Sequence, residues 1–242
     1  HVRFCENARV KFPCVTRLRC KCFTTLSSKY KNKMKEFWEK KFLEIQTMWG
    51  TEPSDSAIQT KDFFLKQKIN EILIPGVGYG RNAKIFIDNG IKVTGIEISK
   101  TAIELSKKMC GLDFKIHHGS VTQMPFDNLK YQGLYCYALI HLLNKTERKQ
   151  LIQNCHNQLT NNGYMIFIAV STKARIFGEG RKISKNRFKI DNGLNVYFYD
   201  MDSATKEFKN YGLIDIREID EPIKHMENEL PIKFLMITCQ KK

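Results

Sequence analysis

The 242-residue chain, 42% apolar and 27% charged, is long enough for one well-buried α/β domain with appendages and too short for two large ones. No apolar run approaches the roughly 20 residues that a helix needs to cross a bilayer, which argues against a membrane protein of that kind. The formal net charge of +15 is uneven: residues 1–33 hold nine Lys/Arg against the single acid Glu6, which is +8 of the total, and the moderately basic remainder weakens the case for a nucleic-acid partner.

Residues 1–33 begin with His1, lack periodicity and have no apolar segment of the secretory kind. They read as a basic, disordered leader; an organelle transit peptide, or sequence outside the natural coding region, fits the same Arg-rich, acid-poor balance. Cys20 and Cys22 stand too close for the usual zinc-ligand spacing and no His pair follows, so no metal site is expected there. Cys110, Cys136, Cys155 and Cys239 fall in apolar or helical stretches without paired spacing, as thiols of a reducing, cytoplasmic compartment do.

From Lys35 to Trp49, apolar residues at near-helical spacing predict an amphipathic helix that must dock on something. Gly50 and Pro53 end it, Ser54–Ser56 form a polar turn, and AIQTKDFFLKQK predicts a second helix. There follow INEILIP, a helix over Arg81–Asn89, IKVTGIEI, a helix over Lys100–Met109, and LDFKIHH. Strand and helix alternating at this pace mark a parallel sheet with crossover helices. YQGLYCYAL, a helix over Lys145–Leu159 and the apolar run GYMIFIAV continue it, giving five parallel strands. Past Ser171 a Gly- and Lys-rich segment leads to LNVYFYD and a helix over Ser203–Tyr211. The closing runs GLIDIREID and IKFLMITCQKK are joined by too few residues for a crossover helix, so they predict an antiparallel pair at the sheet edge.

The stretch ILIPGVGYGRNA, Ile72–Ala83, delivers a strand into Gly76, Gly78 and Gly80 and then a helix start. Glycine there lets a ligand approach the backbone, because it has no Cβ and tolerates positive φ. A dinucleotide turn needs GxGxxG, whereas this chain has Arg81 at the third glycine's position. Glu97, at the end of the second strand, is placed to accept bonds from ribose hydroxyls, which supports nucleoside binding without choosing between a dinucleotide and another nucleoside ligand; a surface Glu at a strand end is the plainer alternative.

Six stretches, ILIPGVGYGRNAKIF, VTGIEISKTAIELSKK, HHGSVTQMPF, YQGLYCYALIHLL, LIQNCHNQLTNNGYMIF and the closing strand pair, carry a resemblance over residues 34–242. By them the chain resembles the class I S-adenosylmethionine-dependent methyltransferases, and it looks most like the small-molecule enzymes of the thiopurine and tellurite-resistance type. The resemblance implies an α/β, Rossmann-like, doubly wound seven-stranded sheet, mostly parallel with an antiparallel last strand and helices on both faces. It implies a turn at Gly76, Gly78 and Gly80 approaching S-adenosyl-L-methionine, Glu97 holding the ribose, Ile98 packing on the adenine, and Ser120 and Val121 near the adenine amine. Tyr137 to His141 would lie beside the methionine portion and the transfer site. Trp38, Trp49 and Arg81 are further cofactor-binding candidates, the helix as a cover and the Arg for a carboxylate. Two positions depart from the family pattern: Ile74 stands where an acid is frequent, and Ser120 where Asp is frequent.

Methyl transfer from a sulfonium needs alignment and desolvation more than a base. If one is used, His141 is the residue for it; a hydrogen-bonded His at a helix start is an equal reading. Phe177, Tyr197, Phe198 and Tyr199 suit either an acceptor pocket or the core. YCYA stands where an Asn-Pro-Pro-Tyr type tetrad would mark amino methylation of DNA or proteins. The expectation is therefore methyl transfer to a small-molecule acceptor by a monomer or homodimer with no membrane partner. An NAD-dependent oxidoreductase, an RNA-directed methyltransferase using the basic leader, and a binding module without catalysis remain as alternatives.

Overall fold

The computed structural model describes residues 34–111, 113–226 and 229–242; the leader reading of residues 1–33 lies outside them. The segment Trp38–Lys242 is one compact unit. Its main sheet has seven strands: β1 Glu71–Pro75, β2 Lys92–Glu97, β3 Lys115–His118, β4 Tyr131–Tyr137, β5 Leu159–Val170, β9 Leu213–Glu221 and β10 Ile232–Gln240. They lie in the order β3-β2-β1-β4-β5-β10-β9. β1 to β5 pair in parallel, and β10 inserts antiparallel between β5 and β9. The strand order reverses between β1 and β4, and ligands of such sheets bind in the crevice outside the carboxyl ends at that point.

Six helices accompany the sheet among the described residues: α1 over residues 34–44, α2 Asp55–Lys66, α3 Arg81–Asp88, α4 Lys100–Cys110, α5 Lys145–Asn157 and α6 Met201–Phe208. Four start on residues whose side chains accept a bond from the first turn, Ser54, Ser99, Asn144 and Asp200, which satisfies amides that otherwise have no intrahelical partner. Alternation along the strands sends Leu73, Leu134, Cys136, Met165, Phe167 and Leu235 to one face, where Leu151, Ile152, Cys155, Ala204 and Phe208 of α5 and α6 close over them. On the other face Phe64 of α2, Phe86 of α3 and Tyr135 of β4 meet ring to ring at 6.0 and 5.5 Å. Each large side chain buried in this way contributes about 1.5–3 kcal/mol. Cys136, Cys155 and Cys239 are buried and Cys110 is partly so, all as free thiols.

The structure corrects three expectations. The first helix ends at residue 44, not at Trp49: residues 45–49 form a bend and turns, because the Trp49 N–H is drawn to the Tyr79 hydroxyl at 3.2 Å. Ser54 is a helix cap and Asp55 already helical, so the polar turn expected at 54–56 is a helix start. The Gly- and Lys-rich segment holds two strands, β6 Arg181–Ser184 and β7 Arg187–Lys189, which form a small antiparallel sheet with β8 Asn195–Tyr197 in LNVYFYD. All four residues of β6 are exposed, so no apolar alternation announces it.

Candidate active site

β1 ends in the glycine turn. Its three glycines have φ of 68°, 57° and 86°, a region that costs other residues strain, yet their surroundings differ. A Cβ on Gly80 would stand 2.7 Å from the Cys110 Sγ and 3.2 Å from the Ser106 Cβ, so this glycine lets the turn pack on α4. A Cβ on Gly76 would press on Leu139. At Gly78 the nearest atom would be the Phe42 Cζ, 3.9 Å away, so the middle glycine is the one that faces room for a ligand.

Beside that room lies Glu97, 6% exposed. One carboxylate oxygen accepts the Gly78 N–H at 2.9 Å; the other accepts the N–H groups of Ile98 and Ser99 at 2.8 and 2.9 Å. Burial pushes its pKa up, against the pull of these three amides. Gly78 and Glu97, 19 residues apart in sequence, are thus in contact, brought there by the parallel pairing of β1 with β2. A carboxylate has about four lone-pair sites, so three amides orient it and leave acceptor capacity toward a hydroxyl donor.

α1 covers the turn. Phe42 meets Tyr79 edge to face, with ring centroids 6.0 Å apart, and Trp49, 41% exposed, stacks on Tyr79 at 6.1 Å. Trp38 packs against both Phe42 and Trp49. Glu39 fastens the helix at the start of α4, accepting from the Lys100 and Thr101 N–H groups at 2.9 and 3.3 Å and from the Thr101 hydroxyl at 2.7 Å. Arg81 donates to the carbonyls of Trp49 and Glu52 and lies 5.6 Å over the Tyr137 ring. Its neighbour Asn82 accepts the Ser54 N–H at 2.9 Å, so the start of α3 ties down residues 49–54. Opposite, Glu221 at the end of β9 accepts the Asp55 and Ser56 N–H groups, and Lys224 pairs with Asp55 at 2.6 Å.

Ser120 caps a short 3-10 turn, Val121–Gln123, through a reciprocal pair of bonds with that turn. The half-exposed Ser120 adjoins Gly119, whose N–H reaches the Glu97 carbonyl, whereas Val121 is 7% exposed and packs in the core cluster. Ile98 is half-buried, and the His118 Nε2 lies 3.2 Å from its carbonyl oxygen. Tyr137 closes β4 against Phe234 at 6.0 Å, and burial pushes its hydroxyl up to about 12.

His141, 8% exposed, sits on the 3-10 turn Ile140–Leu142. The Val170 N–H donates to its Nδ1 at 3.3 Å, and burial pushes its pKa down to about 3. A neutral ring whose Nδ1 accepts carries its hydrogen on Nε2, and the bond to Val170 is that of a hydrogen-bonded His at a helix start, one of the two readings of this residue. Of the aromatic run, Phe198 and Tyr199 are fully buried, Tyr199 donates to Glu207 at 2.7 Å, and Tyr197 lies 3.8 Å under Arg148; Phe177 packs on Phe188 and Phe198. Phe198 and Tyr199 therefore belong to the core, whereas Tyr197 is half-buried and Phe177 is 37% exposed. Among the described residues no group of three or more His, Cys, Asp or Glu is placed to hold a metal ion, and no helix is long and apolar enough to cross a membrane.

Sequence reasoning missed Glu39, Tyr79, Asn82, Glu221 and Phe234. Tyr79 lies inside the glycine motif itself, and its alternation with glycines was a usable signal. The acids had none, since a Glu on an amphipathic helix or at a strand end looks solvated until its partner element is known.

Residues 72–163 match the model of a family described as a methyltransferase domain, and the fold that carries the turn is shared with solved structures of methyltransferases. No curated protein sequence matches the chain significantly. Among solved structures it is similar to the 1,6-didemethyltoxoflavin-N1-methyltransferase of Burkholderia thailandensis, at 13% identity over 89% of this chain and 90% of that one, with a TM-score of 0.68. It is also similar to the magnesium protoporphyrin IX methyltransferase of Synechocystis PCC 6803, solved with bound S-adenosylmethionine (8%, 88% and 97%, 0.63). TehB from Haemophilus influenzae is a further neighbour (14%, 77% and 62%, 0.57). At these identities the likeness is one of fold. The open side of Gly78 beside the oriented Glu97 carboxylate is the part of the turn with room for a ligand.

Proposed function

We propose that the protein transfers a methyl group from S-adenosyl-L-methionine to a small-molecule acceptor. The observation that carries the reading is the bond from the Gly78 N–H to the Glu97 carboxylate, which joins the glycine turn and the acidic strand end into one cradle. In this reading Glu97 holds the ribose hydroxyls, Gly76, Gly78 and Gly80 let the backbone come close, Ile98 and Ser120 border the adenine, and Trp38 and Trp49 belong to the cover. Arg81 and Tyr137 flank the methionine end at the switch point. The cofactor supplies an activated methyl group on a sulfonium sulfur. The chain's part is to orient it, to exclude water beneath α1 and to position the nucleophile, and proximity accounts for much of the rate. The two neighbours named for their acceptors act on a didemethyltoxoflavin and a magnesium porphyrin, which favours a small acceptor here.

Calorimetry with S-adenosylhomocysteine tests the cradle. Glu97→Ala removes charge-assisted hydrogen bonds, each a contribution of about 1.5–3 kcal/mol, so affinity falls roughly 10- to 100-fold. Undiminished binding in a folded variant sinks the ribose assignment. Methyl transfer across thiols, amines, phenols and metalloid oxyanions identifies the acceptor, and no turnover on any of them speaks against the reaction.

A further inference from the structure

His141 follows β4, Val170 ends β5 and Phe234 lies near the start of β10, paired with Val170. All three therefore stand at the carboxyl edge of the parallel strands. The β4–β5 ladder continues as far as the Ala138 N–H to the Ile168 carbonyl. At the next step the strand β4 has turned away, with Ala138 at φ 50°, and the Val170 N–H donates to the His141 Nδ1 instead. The imidazole thus closes the ladder with one nitrogen.

That bond also settles the other nitrogen. A neutral imidazole whose Nδ1 accepts carries its hydrogen on Nε2. Among the described residues no group accepts from Nε2, and the residue keeps 8% of its surface exposed. The rings nearest the imidazole belong to a series of flat groups: His141 to Phe234 at 6.3 Å, Phe234 to Tyr137 at 6.0 Å, and Arg81 over the far ring.

Resting on the methyl-transfer reading above, we infer that His141 presents its Nε2–H as a fixed hydrogen-bond donor to the acceptor, and that the acceptor is a flat heteroaromatic molecule with a ring nitrogen or ring carbonyl that receives it. Tyr137, half-buried, is the partly open ring of the series, whereas Phe234 is 5% exposed, and the donor selects among flat molecules those with an acceptor atom at its position. A site built to donate a hydrogen bond discriminates strongly against an analogue lacking the acceptor, since its own polar group is then left unpaired.

Two substitutions separate this role from ladder closure. The side-chain oxygen of an asparagine can reach about where Nδ1 lies, so His141→Asn keeps an acceptor for the Val170 N–H and loses the donor; His141→Gln reaches toward Nε2 and supplies a donor. The probes are the hydroxyquinolines set against 1- and 2-naphthol, which share shape and differ by one ring nitrogen, titrated in the presence of S-adenosylhomocysteine. The ratio of hydroxyquinoline to naphthol affinity is expected to fall about tenfold from wild type to His141→Asn, the effect of one well-placed hydrogen bond, and to be retained by His141→Gln. Imidazole ¹⁵N spectra of the wild type should show the Nε2–H form, shifted on adding a hydroxyquinoline and not a naphthol. A ratio indifferent to residue 141, absence of saturable hydroxyquinoline binding, or an Nδ1–H form overturns the inference. Methyl transfer is read in parallel: a protein that shows the ratio and methylates nothing supports the donor and undoes the reaction, and one that methylates with an indifferent ratio undoes the donor alone.

Discussion

Gly78 and Gly80 sit two residues apart in one turn, and the structure gives them separable duties. Gly78→Ala places a methyl group with no atom nearer than 3.9 Å, at φ 57°. Its cost to the fold is the left-handed backbone alone, roughly 1–2 kcal/mol, which lowers Tm by about 2–8 °C in a chain of this size. The methyl then occupies the room beside Glu97, so affinity for S-adenosylhomocysteine should fall at least about tenfold, or ~1.4 kcal/mol. Gly80→Ala carries the same backbone cost at φ 86° and drives its Cβ to 2.7 Å from the Cys110 Sγ and 3.4 Å from the Ser106 Cα. Overpacking of that kind adds roughly 1–3 kcal/mol. Differential scanning fluorimetry and calorimetry on the two variants read both quantities. Gly80→Ala should be the less stable and Gly78→Ala the weaker binder for its stability. Full affinity in Gly78→Ala, or equal stability of the pair, refutes the division of roles.

Glu39→Ala leaves the Lys100 and Thr101 N–H groups without their acceptor; a cost of about 1 kcal/mol is expected, and limited proteolysis within α1 should speed up more than Tm falls. Arg148→Ala removes the partner of Glu207, bound at 2.7 Å, and its cover on Tyr197, so urea denaturation should show a loss of roughly 3–5 kcal/mol. His141 is held down to about 3 from an ordinary 6.5, so between those values the unfolded chain binds a proton that the native one does not. Stability contributed by this group is complete above pH 6.5 and declines as pH falls, by up to about 1.4 kcal/mol per unit. Glu97 and Glu221, whose burial raises them, act in the opposite sense. The difference between wild type and His141→Asn in denaturation from pH 7 to 4 isolates the His141 share, and parallel curves would contradict it.

The repeating apolar runs determined the sheet, because a parallel strand covered on both faces must be apolar nearly throughout, as Phe167 and its neighbours in β5 are. The short connection before Ile232 likewise determined the antiparallel insertion, since no crossover helix fits there. The glycine turn and Glu97 were legible for a related reason: their chemistry is local to a strand end, and strand ends can be found from periodicity. What the sequence could not hold was any pairing across elements. Glu39 on Thr101, Glu221 on the start of α2 and the Val170 N–H on His141 join residues 62, 166 and 29 positions apart, and nothing in a one-dimensional pattern couples them. The exposed strand β6 escaped because it buries no face and so has no alternation to read. The state of His141 was decided last and by packing alone: in the chain it is an imidazole poised near neutrality, and only burial at the end of the β4–β5 ladder makes it a neutral donor.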